Sequence, residues 1–228
     1  MKRVGEYFQN KELNVLCGQT FFVNPDNSMY INISTSCDGD PKNLLNARGL
    51  NQMGMFWNMK VIKNLNGVNI AFKYAMDLDL WKRFLLTYGN QNVISVDLTV
   101  GYFRLHMDSK TGIDMNVNSS FFDFENNAAL RQYAALAGSN YYKGIQILYP
   151  NTDEVLSLVK PISNLPLKNI KNWMNHLFYE KAKRLFYANN YKNAYELLTK
   201  IDVQYLKIED RKNSLSFLRW SMLKRFFQ

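Results

Sequence analysis

The chain contains few of the residues that build disulfide frameworks and metal centres. Its 228 residues include two cysteines and two histidines. Cys17 and Cys37 lack the CxxC spacing of metal or redox sites, and we expect two buried thiols in a reducing compartment, with a disulfide between them as the alternative. His106 and His176 lie far apart in the sequence, and two histidines alone do not make a zinc site. We therefore predict no metal and no cofactor.

Long apolar segments are also missing from the sequence. No run approaches the roughly 18 residues that indicate a membrane-spanning helix. The basic start MKR is followed by VGEYFQNKEL, which lacks the apolar stretch of a secretory signal. We expect a protein that has no membrane partner and that lies in the cytoplasm, elsewhere inside the cell or within a virion.

Known catalytic motifs are missing as well. The sequence has no phosphate-binding P-loop, no GxSxG nucleophile motif and no GxGxxG dinucleotide fingerprint. Asp38 and Asp40 fall in the turn-like segment CDGDP, while Asp77 and Asp79 lie where acidic residues favour a helix N-terminus. We predict that the chain is not an enzyme. An enzyme of unrecognised class, built from distant residues, is the alternative.

The sequence does have an apolar core and a strongly asymmetric charge. Hydrophobic residues make up 47% and aromatic residues 14% of the chain, a balance typical of a globular protein. The formal net charge of +9 lies entirely in residues 160–228, which hold 14 Lys and Arg against 5 Asp and Glu, whereas residues 1–159 hold 14 of each. Such an imbalance indicates an acidic partner for the basic part of the chain.

Residues 1–150 combine frequent turn signals with short apolar runs, which indicates a mostly antiparallel β domain. Alternating apolar residues on both sides of DSKTG predict one hairpin, and KNLNGVN predicts the turn of another. Two short helices are predicted in the same domain, DLDLWKRFLLTYG and NNAALRQYAALAG, and each ends at a glycine. The segments predicted as strands are QTFFV, SMYINIS, MKVIK, VNIAFKYAM, NVISVDLTVGYFRLHM, GIDMNVN and GIQILY.

Prolines mark a connector at residues 151–167, and the pattern after it is helical to the end of the chain. Helices are predicted near residues 168–187, 191–201 and 209–226. Together they form a basic three-helix module at residues 168–228. The predicted fold is therefore α+β, with a mostly antiparallel β domain at 1–150 that is followed by this C-terminal module.

The first two helices of the module have the spacing of a helical repeat. The small residues Ala182 and Ala194 allow the two helices to approach closely, and Tyr191 follows the turn between them. This hairpin, at about residues 171–201, resembles a single tetratricopeptide unit. The resemblance implies a hairpin that contacts another protein. An ordinary helical hairpin within a local core is the alternative, because the sequence holds no second copy of the unit.

The third helix of the module is apolar on two faces and also carries several cations. One face holds Leu215, Leu218, Met222 and Phe226. Aromatic residues beside arginines are typical anchors of protein interfaces. A helix wedged between the hairpin and the β domain is the alternative. The predicted partner-binding residues are Arg211, Lys212, Arg219, Trp220, Lys224, Arg225 and Phe227.

These features predict a non-catalytic interaction or assembly protein. Its basic, aromatic helical module would dock an acidic protein surface or neighbouring copies of the same chain. By elimination, a component of a virion or of another large complex is favoured. The main alternative is a nucleic-acid-binding protein that uses the same basic face, because cations interleaved with aromatics contact phosphates and stack on bases. A charged face that only keeps the module soluble is the simplest explanation without a partner.

Overall fold

The computed structural model describes residues 2–10, 12–24, 26, 28–34, 45, 52–104, 121–150 and 165–224. Over these residues the chain is an α+β protein in which helices outweigh strands. It divides into two compact units, Met1–Asn126 and Asn127–Gln228. This division falls earlier in the chain than the connector predicted at residues 151–167. None of the helices in the described ranges is both long and apolar enough to cross a membrane.

The first unit contains a small mixed sheet beside several helices. Its elements are α1 (Lys2–Asn10), β1 (Val15–Val23), β2 (Met29–Ser34), β3 (Met55–Trp57), α2 (Met59–Asn64), α3 (Met76–Tyr88) and β4 (Val93–Arg104). Strand β1 pairs antiparallel with β2 towards one end and with β3 towards the other. It pairs in parallel with β4, so that Cys17 lies opposite Ser95. Cys17 is a buried thiol in this central strand.

The prediction of a mostly antiparallel β domain is wrong, because several of the apolar runs are helical or turn segments. MKVIK lies in α2, where the Asn58 side chain accepts the Lys60 N–H at 3.0 Å and caps the helix. KNLNGVN does not close a hairpin. It ends α2, and Gly67, with a φ of 73°, donates its N–H to the Ile62 carbonyl. VNIAFKYAM forms turns and the first residue of α3.

Other predicted elements of the first unit are confirmed. QTFFV and SMYINIS lie in β1 and β2, and NVISVDLTVGYFRLHM is a strand over Val93–Arg104. The helix predicted at DLDLWKRFLLTYG is α3, and it ends at Gly89, whose φ of 65° suits glycine. The second arm of the hairpin predicted around DSKTG lies outside the described residues. The same is true of Cys37, of the Asp38 and Asp40 pair and of His106.

The second unit is helical. Its elements are α4 (Phe121–Ala137), whose first turns fall in the first unit, α5 (Ser139–Leu148), α6 (Leu167–Tyr187), α7 (Tyr191–Leu198) and α8 (Ile208–Lys224). The helix predicted at NNAALRQYAALAG is confirmed as α4, although it begins earlier, at Phe121. The three C-terminal helices are confirmed as α6, α7 and α8, and within the described residues their bounds lie within three residues of the prediction.

The strand predicted at GIQILY is wrong, because this segment belongs to α5. Gly138, with a φ of 124°, separates α4 from α5, and Tyr141 and Ile145 are buried at helical spacing. Gly144 lies against the ring of Phe178 on α6, where an added Cβ would be 2.5 Å from the ring. The small residue therefore allows α5 and α6 to approach closely.

A buried asparagine joins three segments of the second unit. Asn175 on α6 donates from Nδ2 to the Tyr141 hydroxyl at 2.8 Å and to the Lys171 carbonyl at 2.7 Å. Its Oδ1 accepts the Asp202 N–H at 2.6 Å. Because the amide is fully buried, the Tyr141 hydroxyl and the Asp202 N–H would each lose this bond if Asn175 were apolar. The bond to Asp202 fixes the segment that leads into α8.

Candidate docking site on the last helix

Hydrogen bonds in the segment before α8 fix where that helix begins. Asp202 accepts the Gln204 N–H at 3.3 Å and caps a 3-10 turn over Val203–Tyr205. Arg211, in the first turns of α8, donates from Nε to the Leu206 carbonyl at 3.0 Å and from Nη2 to the Gln204 carbonyl at 2.8 Å. The guanidinium of Arg211 is therefore engaged within the chain, where it holds α8 to the preceding turn.

The inward side of α8 carries two small residues and one aromatic residue. Ser214 and Ser221, two helical turns apart, are both buried. Between them, the ring centroid of Phe217 lies 5.1 Å from that of Phe186 and 5.9 Å from that of Tyr187, both on α6. The serines allow α8 to pack closely, and the edge-to-face ring contacts fix its rotation about its own axis.

The outward side of α8 carries large apolar residues. Ile208, Leu215 and Met222 are 72%, 49% and 41% exposed. Helices of globular proteins usually bury such residues, and a row of exposed ones is typical of a surface that binds another molecule. Trp220 and Leu223 are exposed beside this row. We define the outward face of α8 as Ile208, Lys212, Leu215, Arg219 and Met222, all of which are exposed.

A groove of about 420 Å³ lies beside the outward face, between α6 and α8. Phe186 and Phe217 form its aromatic walls, and Trp220 contributes a third ring, which is 55% exposed. Asn213 and Ser216 line it as well. Aromatic surface with a few polar groups is the usual lining of a site that receives an apolar side chain.

Lys224 supplies the positive charge at this groove. Its Nζ lies 5.3 Å from the ring centroid of Phe186 and 5.0 Å from that of Tyr191, within the range of cation–π attraction. The same atom lies 3.4 Å from the Tyr191 hydroxyl oxygen. Lys224 is half-buried, so its aliphatic stem packs on the aromatic rings while its ammonium group lines the groove.

The unit that carries this surface also carries the net charge of the chain. Residues 127–228 hold 16 Lys and Arg against 7 Asp and Glu, which leaves a net charge of +9, whereas residues 1–126 hold 12 of each. The whole net charge of the chain therefore belongs to the unit that carries α8. A positive field of this size attracts acidic partners and repels basic ones.

The structure gives the predicted partner-binding residues different surroundings. Lys212 and Arg219 are exposed on the outward face, and Trp220 is exposed beside it. Arg211 and Lys224 contact groups within the second unit. Arg225 and Phe227 lie outside the described residues, so their role stays a prediction.

Two features of the surface were missed from the sequence. Ile208 and Leu223 were not predicted to be exposed, and Phe186 on α6 was not predicted to line a groove with α8. The spacing of Ile208, Leu215 and Met222, seven residues apart each time, is the signal that was available for the outward face. The groove has no such signal, because it depends on how two distant segments pack.

Several ionisable groups of the first unit form a buried cluster. Asp79 and Arg83 make an ion pair of 2.8 Å on α3, and Arg83 also donates to the carbonyls of Leu65 and Gly67. Asp77 and Asp79 both lie in the first turn of α3, where acidic residues were predicted. These contacts hold the turn between α2 and α3 against α3, so Arg83 stabilises the local fold.

Two more side chains complete this cluster. Lys82 is 3% exposed, its Nζ donates to Asn126 Oδ1, and burial lowers its pKa to about 8, partly opposed by the nearby Asp79 carboxylate. Glu125 accepts the N–H groups of Lys73, Tyr74 and Ala75 just before α3. In the described part of the chain, no three His, Cys, Asp or Glu side chains are grouped so that they could hold a metal ion.

Comparison with protein-family models, with curated proteins and with solved structures gives no match for this chain. The tetratricopeptide resemblance of residues 171–201 therefore stays a prediction. Ala182 and Ala194 are both fully buried where α6 and α7 meet, which fits a close hairpin of either kind.

Proposed function

We propose that this protein is a non-catalytic interaction protein that docks an acidic protein partner through the outward face of α8. One observation carries the proposal: α8 buries the small Ser214 and Ser221 and exposes the large Leu215 and Met222. Leu215 and Met222 are 49% and 41% exposed, so each leaves unused roughly half of the about 1.5–3 kcal/mol that full burial provides. A partner that covers the row would gain that free energy.

The mixture of side chains favours a protein partner over a nucleic acid. Phosphates and bases are bound by cations and by aromatic rings, and exposed aliphatic side chains add little to such contacts. The outward face alternates aliphatic residues with Lys212 and Arg219. Met222, Arg219 and the adjacent Trp220 are of residue types that are enriched in protein interfaces.

The charge of the unit favours an acidic partner over a second copy of this chain. Two copies that met through α8 would bring two units of net charge +9 together, with arginine and lysine at the contact. Like charges at an interface cost several kcal/mol, whereas opposite charges raise the association rate. An accessory role in a large complex, such as a virion component that is held by an acidic neighbour, agrees with this chemistry.

Selection of peptides from a random display library tests the proposal. The full chain is the bait, and Leu215→Ser/Met222→Ser is the comparison variant. We expect the selected peptides to combine acidic and apolar residues and to lose at least about tenfold in affinity for the variant, since two buried contacts are removed. Met59→Ser/Ile70→Ser is the matched control, because it removes two exposed apolar residues of the first unit.

Two results would overturn the proposal. One is the absence of any selected peptide whose binding depends on Leu215 and Met222. The other is binding of single-stranded RNA with a steep inverse dependence on salt, abolished by Lys212→Ala/Arg219→Ala and unchanged by Leu215→Ser/Met222→Ser. The second result assigns the basic face to nucleic acid.

A further inference from the structure

We infer that the segment which docks on α8 is itself an amphipathic helix, with acidic residues at the positions that face Lys212 and Arg219. The inference rests on the proposed function and adds to it the secondary structure and the residue pattern of the partner. It follows from the spacing, the exposure and the charge of the outward face.

The spacing of the outward face is that of a coiled-coil seam. Its five residues follow one another at intervals of four, three, four and three along α8. Residues at these intervals lie in one nearly straight row and meet a second helix by knobs-into-holes packing. The helix of 17 residues is about 25 Å long, enough for two heptads of contact.

This row lies opposite the side of α8 that packs within the second unit. Ser214 and Ser221 are buried at 4% and 0% exposure, and Phe217 contacts the rings of α6. All five residues of the outward face are exposed. The exposed parts of these five side chains are therefore available to a second helix that lies along α8.

The cations of the row determine which helix fits. Ile208, Leu215 and Met222 occupy one core position of the heptad, and Lys212 and Arg219 occupy the other. In a parallel pair of identical helices, the cations would face each other. In an antiparallel pair, they would face apolar residues. Both arrangements are unfavourable, because a charged residue at a core position needs an opposite charge across the interface.

The complementary helix therefore carries Leu or Ile where α8 has its apolar residues, and Glu or Asp where α8 has its cations. Carboxylates at those positions would form ion pairs with Lys212 and Arg219. Leu223 and, beyond it, Trp220 lie on one side of the row and would exclude water from that side of the contact. The same pattern rejects neutral leucine-rich helices, which would leave both cations buried without partners.

Three synthetic peptides of about 21 residues, or three heptads, test the inference against the full chain. The first places Leu and Glu at alternating four- and three-residue intervals on an Ala and Gln background. The second has the same composition in scrambled order. The third replaces each seam Glu of the first with Lys. Fluorescence anisotropy measures the dissociation constants, and circular dichroism measures the helix that forms on binding, because free peptides of this length are only marginally helical.

We expect the first peptide to gain helix on binding and to bind at least about tenfold more tightly than the scrambled peptide, and the Lys peptide not to bind. In Lys212→Glu/Arg219→Glu the preference should reverse, so that the Lys peptide binds and the Glu peptide does not. This gain of binding also shows that the variant is folded. Lys168→Glu/Lys192→Glu changes the charge equally at exposed positions outside the row and should leave the preference unchanged.

Other outcomes separate the inference from the proposed function. Equal affinity for the first and scrambled peptides, lost in both cases in Lys212→Glu/Arg219→Glu, would overturn the helical partner and leave acidic docking intact. A first peptide that binds without gaining helix would do the same. Failure of all three peptides to bind, together with no peptide selected from the display library, would overturn both.

Discussion

Lys82 is an amine held in an environment that disfavours its charge. It is 3% exposed on α3, and burial lowers its pKa from 10.5 to about 8. An unfolded chain keeps this proton up to about pH 10.5, so the unfolded state binds more protons between pH 8 and pH 10.5. The free energy of unfolding should therefore rise with pH in that window. Below pH 8 the amine is charged in both states, and the destabilisation is present in full.

The size of the effect follows from the pKa difference. A shift of one pKa unit corresponds to about 1.4 kcal/mol, so the buried charge destabilises the fold by about 3 kcal/mol at pH 7. At about pH 9.5 roughly 1 kcal/mol of this remains, and the wild-type chain should gain about 2 kcal/mol between the two values. Lys82→Met removes the amine and leaves Asp79 paired with Arg83. Allowing about 1 kcal/mol for the lost bond to Asn126, the variant should be about 2 kcal/mol more stable at pH 7.

Urea unfolding at several pH values, followed by circular dichroism, measures this difference. We expect the advantage of Lys82→Met to shrink to about zero near pH 9.5, since the wild-type amine is then neutral in the folded state. The series stops below pH 10, because Tyr141 and Tyr179 have raised pKa values and would lower stability as pH rises further. Lys60→Met, which removes an exposed lysine of the same unit, is the control. An advantage that is absent at pH 7, or that stays constant with pH, would refute the reasoning.

Three further substitutions test the packing of the second unit by urea unfolding. Asn175→Leu leaves the Tyr141 hydroxyl and a backbone N–H without partners and should lower the free energy of unfolding by about 2–4 kcal/mol; a neutral result would contradict the role of this amide. Gly144→Ala places a Cβ against the Phe178 ring and should cost about 1–3 kcal/mol, whereas an unchanged stability would show that α5 and α6 can separate freely. Ser221→Ala removes a buried Oγ that has no hydrogen-bond partner among the described residues, and should be neutral or stabilising by up to about 1 kcal/mol; a loss would indicate a partner for this hydroxyl.

Long elements with strong patterns could be predicted from the sequence. α3 and α6 have helical periodicity over several turns, α8 has apolar residues at helical spacing on two faces, and β4 alternates from Ile94 to Tyr102. Each was therefore predicted with the correct type. The short runs MKVIK and GIQILY were not, because a few apolar and β-branched residues fit a strand and a buried helix equally well. Local features decided both: the Asn58 cap begins one helix, and Gly138 separates the other from α4.

The order and direction of the strands in the sheet could not be predicted from the sequence pattern. β1 and β4 pair in parallel, although α2 and α3 lie between them in the chain. A hydrophobic pattern indicates which face of a strand is buried, but it does not identify a distant parallel partner. Gly18 shows the constraint that results: an added Cβ would lie 2.6 Å from the Val100 side chain on β4. A valine or threonine at this position would push the two strands apart.

Local patterns predicted some features of the candidate site, whereas features that depend on contacts between distant segments were not predicted. The cations and Trp220 on α8 follow from composition and spacing, but which side of α8 faces outward does not. Counting apolar residues would have buried Leu215 and Met222 and exposed Ser214 and Ser221, the reverse of what is observed. The outcome depends on packing against α6 and α7 that no local pattern contains, including the contact of the Phe217 ring with Phe186.

The orientation of α8 explains how an apolar surface can persist without being buried in its own unit. Rotating the helix to bury Leu215 and Met222 would remove Phe217 from the rings of Phe186 and Tyr187. It would also break the hydrogen bonds by which Arg211 holds the turn before the helix. Aromatic pairs add about 0.5–1.5 kcal/mol each beyond their burial, and bonds from a charged donor about 1.5–3 kcal/mol. Together these contacts outweigh the gain from burying the exposed halves of two aliphatic side chains, which is about 1.5–3 kcal/mol in total. The apolar row therefore stays exposed in the second unit.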